Sequence, residues 1–559
     1  MRFKILSANL LHRFLYICYF RCMNQLLRLA ENRQYVVALL LGLTLLAYST
    51  VLNGDFVFDD DTFIVNNSYV HDLKHIPQIF THSTTDGAGI EGGNFYRPLQ
   101  SLCHAAIYTV FGPVAWPHHV FSVLLHALNA CLLFFLLCQL GFSRISALAT
   151  SAIFSVHPIN TEAVAYISGL SDPLSLMFML LSWISYLRFR RSAQPVWFAA
   201  TIAGFVAALF TKESSIMFPG VLLLTHAWLA VKKEKSSGLN TALLIVAAAI
   251  GLAFLYLKFT VFNFTGQVAL TAADNAYTQS LWVRFVTFCT IFPRYMGMLI
   301  FPINQYIEKP YFAYETFTLL GVGGLMLLGA LIYIAYYSFR GNRLRLLFIG
   351  CFLLFLLPVS GIIPTNAIYL EHWLYLPFTG VAIALASFFD WAFQKNKSTT
   401  LAVLFVVLLG YTAKSMMRNS QWADAVTFYK NEIKQNKNSA RMYNNLAMVY
   451  STKGNYNGAI QNYIKAIQLY DVYPQTHHNL AQAYLKSNQI PLAIAEEYRA
   501  LQMQPAFIYS LNSLYSIYTS LHDEARASRF ATFIQMVQNG TAPAWKDIEQ
   551  TIKQPATDK

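Results

Sequence analysis

The chain has 559 residues, of which 56% are hydrophobic and only 12% are charged, and its formal net charge is +13. A soluble globular protein carries about twice that share of charged residues, so the composition excludes an ordinary soluble enzyme. Much of the basic excess lies in short segments beside apolar stretches, where it orients membrane spans and is not a nucleic-acid signal. The seven cysteines all precede residue 352, so no disulfide framework is expected in the C-terminal part.

Apolar stretches close to twenty residues long recur up to residue 417 and predict a polytopic, all-α membrane bundle. Residues 1–34 contain six Lys or Arg and one Glu, which predicts a basic amphipathic leader in the cytoplasm. The membrane domain is predicted over residues 35–419, with about eleven spans near residues 35–52, 118–140, 145–157, 170–187, 196–211, 214–231, 239–258, 317–339, 344–361, 373–393 and 399–417.

Basic loops predict how these spans are oriented. Clusters at Arg188–Arg191, Lys232–Lys235 and Arg340–Arg345 are typical of the cytoplasmic side of a membrane. All three fall on that side only if residues 284–302, which contain two Arg and a central Pro, are re-entrant or interfacial. The N-terminus is then inside, and everything after the last span is outside.

The first outer loop, residues 53–117, contains three consecutive carboxylates, Asp59, Asp60 and Asp61. Adjacent negative charges repel one another, so such a run beside a membrane predicts a general base, a cation site or both. A solvated turn that caps a helix is the alternative. Asp60 and Asp61 are the candidate ligands for a divalent metal, whose requirement the sequence leaves unknown.

Further polar residues lie in the spans or at their predicted outer ends. Insertion of an ionisable residue into the membrane costs about 2.5–3.5 kcal/mol on insertion scales, so each such residue is expected to have a structural or functional role. A shared polar cavity would provide one, and local pairing or snorkelling is the alternative. The residues are His126, Asn129, His157, Glu162, Asp172, Lys212, Glu213, Glu371 and His372. The sequence has no His pair spaced for zinc and no Gly-rich phosphate loop, so neither a zinc site nor nucleotide hydrolysis is expected.

From Ser420 the chain is predicted to be soluble and helical, with an internal repeat of 34 residues. Asn445-Leu446-Ala447 recurs as Asn479-Leu480-Ala481, and Ala459 recurs as Ala493. This period, with small residues where two helices cross, is the tetratricopeptide pattern, here predicted over residues 420–540. The tail, 541–559, is predicted to be disordered.

The first helix of each repeat forms the inner wall of a groove that suits an extended peptide. Asn445, His478 and Asn479 are therefore candidate residues for binding such a peptide, because an Asn side chain can bond a peptide backbone through both its oxygen and its amide. Capping or packing between the repeats is an equally good explanation for either Asn alone.

The order of the motifs resembles that of a known family, the transmembrane and tetratricopeptide repeat-containing proteins, a branch of the GT-C glycosyltransferases whose nearest members are protein O-mannosyltransferases. The resemblance covers roughly residues 35 to 535. The motifs that carry it are Phe58-Asp59-Asp60-Asp61, Tyr96-Arg97-Pro98-Leu99, His126-Ala127, His157-Pro158, Thr161-Glu162-Ala163, Gly169 with Asp172, Lys212-Glu213, Glu371 with Leu374-Tyr375-Leu376-Pro377, and Arg418-Asn419 with Trp422.

The resemblance implies a membrane enzyme that uses a polyprenyl-phosphate-linked sugar as its donor. Asp59 and Asp60 would act at the acceptor hydroxyl, with Asp61 as a neighbour or cation ligand. Residues for the donor phosphate would be Arg97, His157, Lys212 and His372. The family commonly has Arg where this chain has His372, so Lys212 or Arg97 is expected to provide the permanent charge instead.

We therefore predict a glycosyltransferase that transfers a sugar, mannose being the first candidate, to a hydroxyl acceptor on the outer face of the membrane. The acceptor is expected to be a protein or peptide held by the repeats. The predicted location is a bacterial inner membrane with periplasmic repeats, or the endoplasmic reticulum with lumenal repeats in a eukaryote. A non-enzymatic tetratricopeptide scaffold for envelope assembly is the alternative, and a transporter ranks last because no inverted repeat is seen.

Overall fold

The structure is a computed structural model that describes residues 31–90, 93, 95–231, 238–261, 276–307, 309, 313–340, 343–365 and 367–553. Most of the predicted leader and the basic loop Lys232–Lys235 lie outside the described residues. The chain forms two compact units, one of residues 1–305 and 311–423, and the other of residues 306–310 and 424–559. The described residues contain helices and no strands, which confirms the predicted all-α class.

The first unit is the transmembrane unit. Pro or a capping side chain begins several of its helices, for example Ser143, whose side chain accepts the Ser146 N–H. Its helices are α1 (Arg33–Tyr48), α2 (Ile76–Thr81), α3 (Pro98–Phe111), α4 (Trp116–Gln139), α5 (Arg144–Val156), α6 (Thr161–Ala165), α7 (Ser171–Ser192), α8 (Pro195–Leu209), α9 (Phe218–Val231), α10 (Gly238–Tyr256), α11 (Ala276–Gln279), α12 (Leu281–Met298), α13 (Leu319–Arg340), α14 (Arg343–Leu356), α15 (Phe378–Lys395) and α16 (Lys397–Asn419).

The apolar helices of this unit make the chain a multi-pass membrane protein. Each of the eleven predicted spans falls on one helix, and the segment 284–302 falls on α12, which contains Pro293. Five helical stretches of the described residues are long and apolar enough to cross a membrane, and several other apolar helices are shorter. The number of crossings therefore stays a prediction. The five stretches are Trp116–Gln139, Ile167–Ser192, Gly238–Thr260, Leu319–Phe339 and Lys397–Trp422.

The first outer loop folds into short helical turns around a small apolar core of its own. Ile64, Val70 and Ile79 of the loop are buried together with Ala105 of α3 and Ile167, which precedes α7. Burying these side chains stabilises the loop against two separate parts of the transmembrane unit. The carboxylates at 59–61 are thereby attached to the segment that leads into α7.

The second unit is the repeat unit, in which antiparallel helix pairs follow one another along the chain. The recurring alanines, such as Ala459 and Ala493, are fully buried where paired helices cross, as the 34-residue period predicted. The helices are α17 (Ala425–Gln435), α18 (Ala440–Thr452), α19 (Tyr456–Leu469), α20 (Pro474–Lys486), α21 (Ile490–Met503), α22 (Ile508–Ser520), α23 (Glu524–Gln538) and α24 (Trp545–Lys553).

The end of the chain differs from the predicted disordered tail at 541–559. Residues Trp545–Lys553 form α24, and Ile548 is buried in the core made by α22 and α23. Its apolar residues Trp545, Ile548 and Ile552 follow helical spacing. The polar residues that end the chain dominate the composition of this region and conceal the pattern in the sequence. Residues 554–559 lie outside the described part of the chain.

A buried histidine joins two helices of the repeat unit. His477 at the start of α20 has Nδ1 2.6 Å from Glu496 Oε2 and Nε2 2.8 Å from Asp471 Oδ1. Burial alone would lower the pKa of His477, but the two carboxylates outweigh it and raise the pKa above its usual 6.5. The charged imidazolium, which donates through both nitrogens, is thus favoured in the folded unit.

This ion pair predicts a pH-dependent stability of the repeat unit. Because the folded pKa of His477 is raised, its stabilisation is complete below pH 6.5 and is lost as pH rises through the folded value. His477→Gln should weaken this loss. The measurement is hydrogen exchange of α20 and α21 in the full chain between pH 6 and 9, corrected for intrinsic exchange. His522→Asn, which removes an exposed histidine of the same unit, is the control; equal pH slopes in wild type and His477→Gln would contradict the assignment.

A second prediction concerns the contact between α14 and α15. A Cβ at Gly380 would lie 2.5 Å from the Phe348 carbonyl oxygen and 2.6 Å from the Phe352 nitrogen, both backbone atoms. Gly380→Ala should therefore lower the thermal midpoint, since overpacking costs about 1–3 kcal/mol and exceeds the roughly 1 kcal/mol gain in helix propensity. Gly410→Ala in α16, where nothing lies within 4 Å, is the matched control and should be neutral or stabilising. Equal midpoints for both variants would show that the two helices separate freely.

Candidate functional site

Residues Tyr166–Asp172, which lead into α7 and are called here the anchor segment, contact four of the predicted site residues. The Tyr166 hydroxyl donates to Asp59, and Ser168 binds Asp60. Ser171 Oγ accepts from Arg97, while Asp172 accepts from Lys212. The contacts, in order, are thus Tyr166 with Asp59, Ser168 with Asp60, Ser171 with Arg97 and Asp172 with Lys212. One continuous segment therefore joins the loop carboxylates to the predicted cations.

Asp60 is the buried member of the three consecutive carboxylates, with 1% of its surface exposed. Its Oδ1 accepts the Ser168 N–H at 2.8 Å and the Ser168 hydroxyl at 2.5 Å, and its Oδ2 accepts the Val57 N–H at 2.9 Å. Burial, helped by the charge of Asp59, raises the pKa of Asp60 to about 7 even though all three donors favour the carboxylate. With both oxygens occupied, Asp60 holds the loop in place.

Asp59 and Asp61, in contrast, are exposed. The preceding residue, Phe58, has a φ of 63°, a left-handed conformation that bulky residues rarely adopt. This turn lets Asp60 point into the protein while Asp59 stays at the surface beside Tyr166. Burial raises the pKa of Tyr166 far above its usual range, and the charges of Asp59 and Asp60 add to this, so the phenol stays protonated. Asp59 is thus an accessible carboxylate held in place by a permanent donor.

Three cations and two carboxylates form a cluster beside the anchor segment. Arg97 Nε lies 3.4 Å from Glu213 Oε2, and Lys258 Nζ lies 3.2 Å from Glu213 Oε1. Lys212 Nζ donates to Asp172 Oδ1 at 2.6 Å. This set, Arg97, Lys212, Lys258, Asp172 and Glu213, is called the cation cluster. Its formal charge is +1, so it has the capacity to balance one further anion.

The ionisation of the cation cluster follows from burial and pairing. Burial alone would raise the pKa of Glu213, but Arg97 and Lys258 outweigh it and hold the pKa at about 2. Burial also lowers the pKa of Lys212, and Asp172 opposes this. The sequence missed Lys258 because it lies at the end of a predicted span, where a lone Lys is indistinguishable from an interfacial anchor.

A second polar group surrounds Glu162 of α6. Its Oε1 lies 2.7 Å from His372 Nδ1, and its Oε2 accepts the Glu371 N–H at 2.8 Å. Glu371 in turn accepts from the Gln305 side chain at 3.0 Å. Burial would raise the pKa of Glu162, yet His372 and Arg418 lower it overall. We call Glu162, Glu371, His372, Gln305 and Arg418 the Glu162 group.

Aromatic contacts connect the Glu162 group with the anchor segment. Tyr166 stacks on Trp422 with ring centroids 5.5 Å apart, and the Arg418 guanidinium lies 5.6 Å from the same Trp422 ring. Arg418 is buried, with 2% of its surface exposed. The sequence identified Arg418 only as part of the junction to the repeats. Its place beside Glu162, more than 250 residues away along the chain, is set by tertiary structure.

The remaining predicted residues of the membrane segments are buried in the packing. His126 Nδ1 lies 2.7 Å from the Tyr375 hydroxyl, and the Asn129 amide donates to the Pro173 carbonyl at 2.7 Å. His157 Nε2 lies 3.1 Å from the Leu299 carbonyl oxygen. The structure thus separates the four residues predicted for the donor phosphate: Arg97 and Lys212 lie in the cation cluster, His372 in the Glu162 group, and His157 in neither.

An apolar cavity of about 430 Å³ lies between α5 and helices α12–α16. Its walls are almost entirely apolar, and His157 and Tyr411 are its polar side chains; Tyr411 donates to the Ile300 carbonyl at 2.8 Å. Such a cavity within a membrane bundle suits an apolar chain. As for metals, the described residues contain no group of three or more His, Cys, Asp or Glu placed to hold an ion.

The predicted acceptor-binding residues lie on the first helices of their repeats. Asn445 and Asn479 are half-buried, and their side-chain oxygens accept from Asn444 and Gln475 of the same helices at 3.3 and 3.0 Å. His478 Nδ1 lies 3.0 Å from both oxygens of the buried Glu497. His478 is therefore tied to the neighbouring helix, while the two Asn side chains bond only locally in these contacts.

Comparison with known proteins identifies related sequences for both units. The sequence profile of dolichyl-phosphate-mannose-protein mannosyltransferases matches residues 104–273, and the tetratricopeptide repeat profile matches residues 438–506. Human protein O-mannosyl-transferase TMTC3 is 24% identical over 514 residues, covering 84% of this chain and 55% of the relative. Mouse protein O-mannosyl-transferase TMTC4 is 25% identical over 482 residues, covering 75% of this chain and 64% of the relative.

A shorter match has a higher identity. Human protein O-mannosyl-transferase TMTC1 is 32% identical over 215 residues, 36% of this chain and 24% of the relative. The chain thus spans 55% and 64% of the length of the two relatives matched over most of it. These matches confirm the resemblance that the motifs predicted: in its transmembrane unit and in its repeats, the chain is similar to the transmembrane and tetratricopeptide repeat-containing O-mannosyl-transferases.

Proposed function

We propose that the chain is a membrane glycosyltransferase that transfers mannose from a polyprenyl phosphate to a protein hydroxyl. The observation that carries this proposal is that an exposed carboxylate, Asp59, contacts the same anchor segment as a cation cluster with one surplus positive charge. Sugar transfer from a lipid phosphate requires these two features: a base for the acceptor and a partner for the leaving group. The names of the relatives support the sugar and the acceptor class.

In the proposed reaction the acceptor oxygen attacks the anomeric carbon while Asp59 takes the hydroxyl proton. The new carbon–oxygen bond forms as the bond between the sugar and the phosphate oxygen breaks, with inversion at the anomeric carbon. The electron pair of the broken bond stays on the polyprenyl phosphate, whose growing negative charge is balanced by cations. Asp60 remains bound to Ser168 throughout and acts as a positioning residue.

The phosphate is proposed to bind at Arg97, Lys212 and Lys258. Glu213 already bridges Arg97 and Lys258, so both side chains are held with little freedom left to lose when an anion binds. Their partial burial strengthens the interaction with a phosphate relative to water. The apolar cavity between α5 and α12–α16 has the chemistry required by part of a polyprenyl chain.

Arg418 is proposed to compensate for His372, which stands where the resembling family commonly has Arg. It brings a permanent charge to Glu162, whose other partner is the His372 imidazole. The Arg418 guanidinium also lies over Trp422, which stacks on Tyr166, the hydrogen-bond donor to Asp59. Arg418 therefore helps to hold Asp59 in place. Arg418 is therefore a positioning residue in this account.

The repeats are proposed to hold the acceptor chain on the outer side of the membrane. Asn445 and Asn479 occupy equivalent places on α18 and α20 and suit hydrogen bonding to a peptide backbone. The compartment would be the periplasm of a bacterium or, in a eukaryote, the lumen of the endoplasmic reticulum.

The role of Asp59 is tested by Asp59→Asn in the purified full chain. Loss of a general base should lower kcat by about 10²–10⁴-fold. The measurement is transfer from a synthetic polyprenyl-phosphate mannose to a serine- and threonine-containing peptide. Asp61→Asn removes an exposed charge two residues further along the chain and should retain most activity. If Asp59→Asn keeps more than about a tenth of wild-type activity, the carboxylates of this loop are structural and the scaffold alternative gains support.

The role of Lys258 is tested by Lys258→Gln. Charge-assisted hydrogen bonds contribute about 1.5–3 kcal/mol, so kcat/KM for the lipid donor should fall by about 10–100-fold. The apparent KM for the peptide should stay unchanged. Lys74→Gln, in the exposed ion pair of the same outer region, is the control. An equal fall in both variants would indicate a general electrostatic effect and contradict a phosphate contact.

A further inference from the structure

A buried arginine at the other end of α7 takes no part in the proposed chemistry. Arg190 lies in the last turn of this helix, within the basic run predicted to face the cytoplasm, and only 8% of its surface is exposed. Its Nη1 donates to His226 Nδ1 of α9 at 3.0 Å, and the Tyr186 hydroxyl lies 3.0 Å from the same ring nitrogen. The guanidinium is therefore fixed in orientation by two neighbouring side chains.

The opposite edge of this guanidinium has no acceptor. Nε and Nη2 of Arg190 are both buried, and neither has a hydrogen-bond partner among the residues that the structure describes. The N–H bonds of these two atoms are parallel, which is the arrangement that binds two oxygens of one phosphate or carboxylate. A buried guanidinium with two unsatisfied donors is strongly unfavourable, and an anion bound to these donors would remove that cost.

The surrounding charges are also positive. Arg343 of α14 donates to the Ala227 carbonyl at 2.9 Å, next to His226, and Arg191 donates to the Gln139 carbonyl at 2.7 Å. No carboxylate among the described residues forms an ion pair or hydrogen bond with Arg190. Arg191 follows Arg190 in the sequence and Arg343 binds the residue after His226, so this end of α7 carries surplus positive charge, which attracts an anion at the membrane surface.

We propose that Arg190 is the centre of a phosphate-binding site for an anionic lipid headgroup. Nε and Nη2 would each donate to one phosphate oxygen, and Arg343 would add long-range attraction. The ligand is a phosphate group with a net negative charge. Either a lipid headgroup or free phosphate can provide such a group. The position at the end of a membrane-spanning helix, among basic residues, favours the lipid. This proposal is independent of the proposed function, because none of its residues belongs to the anchor segment or the cation cluster.

The test compares the thermal midpoint of the full chain in two kinds of lipid nanodisc. Phosphatidylglycerol is added to one kind, and the other contains phosphatidylcholine alone, whose phosphate is balanced by its own choline cation. Specific binding should raise the wild-type midpoint by about 2–4 °C. Arg190→Gln should abolish this shift, and Arg191→Gln, which removes the same charge one residue away, should retain it. Inorganic phosphate titrated into phosphatidylcholine discs distinguishes the two sources, because a shift there that requires Arg190 identifies free phosphate as a ligand of the same site.

Two outcomes would overturn the proposal. One is a full phosphatidylglycerol shift in Arg190→Gln, and the other is an equal loss in Arg191→Gln, which would mean that only the general surface charge matters. Should Arg190→Gln fail to fold, Arg190→Lys decides, since it keeps the charge and lacks the paired N–H groups. Less than half of the wild-type shift in Arg190→Lys supports the site, and a full shift excludes two-point binding by the guanidinium.

Discussion

The structure depends on one buried contact, that of the Asp60 carboxylate with Ser168. Asp60 is 1% exposed and accepts three hydrogen bonds, two of them from a residue 108 positions further along the chain. A carboxyl group is stable in such a place only when its oxygens are satisfied, so the loop cannot move away from Ser168 without losing the hydrogen bonds that satisfy Asp60. The outer loop is thereby locked to the start of α7, and the exposed Asp59 is fixed beside it.

The same segment that binds Asp60 also sets the electrostatics of the site. Ser171 and Asp172 orient Arg97 and Lys212, so the carboxylates of the outer loop and the cations are attached to one rigid stretch of chain. Within the cation cluster, pairing keeps Glu213 ionised in spite of burial, and one positive charge is left over. The proposed sugar transfer would require that base and cations keep a constant separation, which short connections along one segment provide.

Periodicity and composition were enough to predict the helical class, the position of each apolar helix and the 34-residue repeat, because these depend on local sequence. The contacts among the candidate site residues could be predicted only in part. Asp59 and Asp60 look alike in the sequence, and only burial against Ser168 distinguishes the buried carboxylate from the exposed one. Lys258 and Arg418 were missed because their partners, Glu213 and Glu162, are far away in sequence. Helix α24 was missed because its short apolar face matters only against α22 and α23.

The central claim, that Asp60 acts through Ser168 to position Asp59, is tested most directly by a double-mutant cycle on kcat. The variants are Asp60→Asn, Ser168→Ala and the combination, each assayed for mannose transfer with the donor saturating. If the two residues act as one unit, the double variant should be no slower than the slower single variant within about twofold, because the same interaction is removed only once. Losses that multiply in the double variant would contradict the account, since Asp60 and Ser168 would then contribute independently.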